Sequence, residues 1–73
     1  MKPTLLDLRE EFCFTIVELA DVAEVETQVV YCMLIGRPVS RWQANKVLLG
    51  FKRLSGKTYR LEDISVNLIQ PDS

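Results

Sequence analysis

The stretch Thr15-Ile16-Val17-Glu18 limits the folding of this chain more than any other. A threonine followed three residues later by a glutamate is a capping box. The hydroxyl accepts from the fourth residue's N–H and the carboxylate accepts from the first residue's N–H. It sets a helix start at Ile16, and Phe14 and Leu19 are spaced to staple it. The start is one of a series. Thr4 caps a first helix in which Leu5, Leu6, Leu8, Phe12 and Cys13 recur at helical spacing, with Asp7, Arg9, Glu10 and Glu11 turned outward. The second helix runs from Ile16 to Val22 or Ala23. Gly36-Arg37-Pro38 ends the third segment, because glycine suits a helix C-cap and proline forbids continuation. Ser40 then caps a helix over 41–54, with Ala44, Val47, Leu48, Phe51 and Leu54 as its apolar stripe. Ser55-Gly56-Lys57 stops it. These units are short helices joined by tight turns.

Two segments are less determined. Val29-Val30-Tyr31-Cys32-Met33-Leu34-Ile35 is an apolar run rich in strand formers, and periodicity alone fits a buried strand as well as a helix. Beyond Tyr59, Leu61-Glu62-Asp63-Ile64 fits one helical turn, and the alternation at Val66 and Leu68 predicts an extended tail over 65–73.

At 73 residues the chain is a single domain, 1–73. A domain of this size buries only about 60% of its unfolded-chain surface, so oligomerisation is an expected source of stability. The composition is 48% apolar, enough for a core and too much for disorder. No stretch approaches the ~18 apolar residues of a membrane span, and the first dozen residues hold acids and no hydrophobic signal core. A cytoplasmic protein is expected. Histidine is absent and Cys13 and Cys32 match no zinc spacing, so no metal site and no cofactor are expected. The two cysteines read as buried thiols in a reducing compartment. An enzyme is not expected, because there is no glycine-rich phosphate loop and no nucleophile beside a base.

Charge is strongly segregated. Residues 1–30 hold two bases and seven acids, and residues 61–73 hold three acids and no base. Residues 31–60 hold Arg37, Arg41, Lys46, Lys52, Arg53, Lys57 and Arg60 with no acid, so a net charge of −1 conceals a basic middle. Such a block fits a polyanion partner, since each cation near a phosphate displaces a counterion. It fits a solvated basic helix face as well.

Thr15 to Gly36 resembles, in register and without a gap, the helix-turn-helix of the Xre-like family of Cro and phage-repressor DNA-binding domains. Thr15 matches the cap, and Glu18-Leu19-Ala20 the Glu-Leu-Ala triplet, whose alanine is small because two helices cross there. Ala23 and Val25 match the turn, with Glu24 in place of glycine. Val30 and Met33 match the docking positions of the recognition helix, and Gly36 its end. Arg37-Pro38-Val39-Ser40 resembles the loop that follows, and Ala44, Val47 and Phe51 the buried face of helix four. The resemblance covers about Phe14 to Ile64. It implies an all-α, λ-repressor-like fold, a compact bundle of four to five short helices with a central helix-turn-helix over about 15–36, and it reads Thr27–Ile35 as helix three.

By the same resemblance the function is that of a sequence-specific, duplex-DNA-binding transcriptional regulator acting as a homodimer. Thr27, Gln28, Tyr31 and Cys32 are then base-reading candidates in the major groove. Arg37, Arg41 and Lys46 are phosphate-contact candidates. Several DNA-facing positions differ from the family pattern: Ile16 replaces a common glutamine, Glu26 replaces a Ser or Thr cap, and helix three has no Lys or Arg. The apolar run of helix three therefore supports a rival reading, a protein-interaction or oligomerisation module on a repressor-like scaffold. Its interface candidates are Leu34, Ile35 and Trp42. Trp42 is otherwise expected to pack half-buried against the loop at Pro38.

Overall fold

A computed structural model describes residues 2–69. Four α-helices follow one another: α1 (Leu5–Phe12), α2 (Ile16–Ala23), α3 (Thr27–Ile35) and α4 (Arg41–Ser55). A single 3-10 turn, Leu61–Asp63, comes after them. The domain is all-α, with no strand among the described residues. None of these helices is long and apolar enough to cross a membrane.

Three starts are closed by reciprocal side-chain caps. At α1 the Thr4 hydroxyl accepts from the Asp7 N–H at 3.2 Å, and the Asp7 carboxylate accepts from the Thr4 N–H at 2.9 Å. At α2 the two arms of the Thr15–Glu18 box measure 3.0 and 3.2 Å. Ser40 and Gln43 exchange the same pair at α4, both at 3.3 Å. Each cap satisfies N–H groups that the helix itself leaves unpaired. Helix α3 starts at Glu26 with no side-chain cap. All four helices end on a left-handed residue, and two of these are not glycine: Cys13 at φ 55° and Glu24 at φ 58°. A side chain in that region costs about 1 kcal/mol or more, so both ends are held by the packing around them.

Helix α2 packs chiefly on α4 and on α3, and α1 lies against α3. The core centres on Phe51, fully buried, with Phe12, Phe14 and Tyr59 round it at ring-centroid distances of 5.3, 5.6 and 5.6 Å. Leu5, Leu8, Leu19, Val30, Met33, Val47 and Ile64 complete it. Ala20 is buried, as a close helix crossing requires, but a second small pair does as much. A Cβ built on Gly50 of α4 would lie 2.6 Å from the Cβ of Ala23 and 2.8 Å from its backbone N and Cα.

The apolar run of residues 29–35 is helix, and its strand propensity is overridden by the core that Val30 and Met33 enter. Other expectations are corrected. Cys13 is exposed, because as the left-handed end of α1 it leaves the apolar stripe, and Cys32 is half-buried rather than buried. Leu6 and Leu54 are exposed instead of lying in the core. In the expected extended tail, residues 65–69 run back along the domain through isolated bridges. The Ser65 N–H donates to the Pro3 carbonyl at 2.8 Å, and isolated parallel bridges pair Thr4 with Ser65 and Val39 with Leu68. The last part of the expected tail, 70–73, lies outside the described residues.

Candidate nucleic-acid interface

Helix α3 divides cleanly into two faces. At about 100° per residue, Val29, Val30, Met33 and Leu34 occupy one side, and Thr27, Gln28, Tyr31, Cys32 and Ile35 occupy a continuous arc of about 140° on the other. Burial follows that division. Val30, Met33 and Leu34 are buried and Val29 packs on the core. Thr27, Gln28, Tyr31 and Ile35 are exposed and Cys32 is half-buried. Thr27, Gln28 and Tyr31 therefore share one open face, while Cys32, at its edge, packs on the core as Val29 does. Leu34 offers a partner far less surface than Ile35: it is 9% exposed, at the base of a groove that both line with Leu6 of α1, Ser65 and Asn67. Tyr31 and Ile35, four residues apart, are the apolar part of the open face at about half exposure each.

The basic middle is split by the fold. Arg53 donates from Nη1 to the Val22 carbonyl at 3.1 Å, closing the C-terminal end of α2 with a cation. Arg60 pairs with Glu62 at 3.5 Å. Lys46 holds its Nζ 5.5 Å from the ring centroid of Trp42, a cation–π contact within α4. Arg37 and Arg41 are exposed, and neither has an ion pair or a side-chain hydrogen bond among the described residues. They bracket the linker from α3 to α4. Lys46 does not join them, since it lies about 140° round α4 from Arg41.

Trp42 is 62% exposed, which corrects the expected packing against Pro38. As the second residue of α4 it borders a cleft with Glu24, Val25, Glu26, Val29 and Gln43 instead. Two carboxylates, Glu24 and Glu26, thus flank the N-terminal end of α3, where the helix dipole is positive and no side chain caps the N–H groups. Among the described residues no three His, Cys, Asp or Glu side chains converge as metal ligands.

Sequence reasoning missed two long-range contacts. One is made by Arg53, whose use as a cap for another helix is invisible in a charge count. The other is made by Asn67, whose side-chain amide donates to the Gly36 carbonyl and ties the tail to the end of α3. No family model, no curated protein and no solved structure matches the chain.

Proposed function

We propose that this chain is a small duplex-DNA-binding domain of the transcription-regulator kind, similar to the Xre-like helix-turn-helix family. It acts in the cytoplasm as a dimer and by binding alone, without a catalytic step. In this reading α3 enters the major groove with Thr27, Gln28, Tyr31 and Cys32 toward base edges, while Arg37 and Arg41 hold phosphates. Gln28 has the bidentate geometry that matches adenine, and Tyr31 and Thr27 suit a thymine methyl or a phosphate oxygen. The observation that carries the reading is the exposed arc of α3 formed by Thr27, Gln28, Tyr31 and Ile35, with Arg37 and Arg41, unpaired among the described residues, at the linker that follows. The positive charge begins after α3, so backbone contacts supply most of the affinity and base contacts a thin code.

The test is binding to mixed-sequence duplex DNA over a salt series. The expected result is an affinity that falls linearly in log–log form with salt. Removing both cations in Arg37→Ala/Arg41→Ala is expected to lower the slope by about 2, since each phosphate contact contributes about 0.9. Wild-type protein with no salt-sensitive affinity at low salt would refute the reading.

One observation favours a second reading. Tyr31 and Ile35 present a half-exposed apolar pair on the open face of α3 itself. On that reading the face docks a second copy of the chain and is closed to DNA. It predicts an oligomer insensitive to salt that Ile35→Asp converts to monomer in light scattering. An unchanged mass for that folded variant counts against it.

A further inference from the structure

The linker 36–40 is fastened by a part of the chain about thirty residues away. The peptide unit joining Gly36 to Arg37 is bonded on both of its polar sides. Its N–H, from Arg37, donates to the Cys32 carbonyl at 2.8 Å and closes α3. Its carbonyl, from Gly36, accepts from Nδ2 of Asn67. Two residues further on, Val39 is buried, and both its polar backbone groups are used. Its N–H donates to the Asn67 carbonyl at 3.1 Å, and its carbonyl accepts from the Ile69 N–H at 2.8 Å. The strap that makes these bonds is itself anchored at its other end, where Ser65 bonds Pro3 and pairs with Thr4. Arg37 therefore sits on a backbone fixed before and after it, while its side chain is exposed and has no partner among the described residues.

From this we infer that Asn67 is a positioning residue for Arg37: it pins the Gly36–Arg37 peptide so that the guanidinium meets a phosphate on a linker already ordered. The inference rests on the DNA-binding reading. A binding group on a pre-ordered segment does not spend interaction energy on ordering it. The contact through the Asn67 carbonyl survives any substitution at 67, because it is backbone. The contact through its side-chain amide does not, and it is the one that acts on the peptide next to Arg37. Gly36, left-handed at φ +83°, ends α3, and its exposed carbonyl takes the Asn67 amide as its donor.

The experiment is a double-mutant cycle in DNA affinity at fixed low salt, with mixed-sequence duplex as the probe. Its members are the full chain, Asn67→Ala, Arg37→Ala and the double variant. Asn67→Ala is expected to weaken binding by about three- to tenfold, the range expected for one lost hydrogen bond. In the Arg37→Ala background it is expected to have no further effect. Asn67→Leu, of similar size and without a donor, is expected to match Asn67→Ala. The Arg37 amide is expected to exchange with solvent faster in both single variants at position 67, with helical circular dichroism unchanged. An unaltered affinity in the single variants, an unaltered Arg37 exchange rate, or a loss that adds fully to that of Arg37→Ala overturns the inference and leaves the DNA reading standing. Absence of salt-sensitive binding by the unmodified chain overturns both.

Discussion

Gly50 offers the sharpest test of how the α2–α4 interface is built. It lies ten residues into α4, with nine intrahelical neighbours before it and five after, so its backbone is that of an ordinary helix interior. By helix propensity alone, Gly50→Ala would stabilise the domain by about 1 kcal/mol. The packing argues the other way. The added methyl would lie 2.6 Å from the Ala23 Cβ and 2.8 Å from the Ala23 N and Cα. Two of those three atoms are backbone of α2, so no rotamer change relieves them and the helices must separate. Overpacking of this kind costs about 1–3 kcal/mol, and a backbone contact falls at the upper end. The net expectation is a loss of about 1–2 kcal/mol, which in a domain this small is a fall in Tm of roughly 5–15 °C. Thermal denaturation followed by circular dichroism measures it. Placing Ala23→Gly in the same chain removes the 2.6 Å contact but not the two backbone ones, so it should recover only part of the loss. A Gly50→Ala variant as stable as the parent, or more so, would refute the close crossing.

Four further outcomes follow from the caps and faces. Glu24→Gly should raise stability by about 0.5–1 kcal/mol, because glycine adopts the left-handed conformation without strain, and its removal of an acid also suits the negative end of α2; urea denaturation checks it. Thr15→Ala should cost about 1 kcal/mol by the same assay, through loss of the hydroxyl that accepts the Glu18 N–H. Leu34→Asp and Ile35→Asp should separate sharply despite being neighbours. The first buries an unpaired carboxylate and abolishes the folded circular-dichroism signal, while the second leaves it intact.

The boundaries of this domain were legible because they are set by local chemistry. The Thr15–Glu18 box, the Gly36 stop and the Ser40 cap each act within four residues, and each lies where the sequence predicts it. Residue pattern also separates Val30 and Met33 from Gln28 and Tyr31, since a helix puts residues three and four apart on one side. What was not legible depends on contacts across the chain. Leu34 reads as surplus apolar surface until α1 is laid over it. Trp42 reads as half-buried against the loop at Pro38 until the fold leaves it exposed at the rim of a cleft. Gly50 reads as an ordinary weakness in a helix until Ala23 arrives beside it. Asn67 reads as part of a nondescript tail until that tail returns to Gly36.

The same contrast governs the basic segment. As a sequence it is one uninterrupted block, and on that basis all seven cations count equally toward a polyanion site. Folding gives them different employment. Arg53 closes α2, Arg60 pairs with Glu62 and Lys46 covers Trp42, so each has a partner inside the domain. A cation already engaged must give up that partner before it can meet a phosphate, and its contribution falls by what the partner was worth. Lys52 and Lys57 have no such partner among the described residues, and nor do Arg37 and Arg41, which alone of the four lie beside α3 in the chain. These two arginines also sit at the two ends of a linker that a buried Val39 and the Asn67 strap hold in place. Ranked by this argument rather than by sequence, the expected loss of DNA affinity is largest for Arg37→Ala and Arg41→Ala and smaller for Lys46→Ala. For Arg53→Ala a loss of stability should appear before any loss of affinity. A scan in which Arg53→Ala lowers affinity as much as Arg37→Ala, at unchanged Tm, would mean that the block acts through its net charge alone and that the fold does not select among its members.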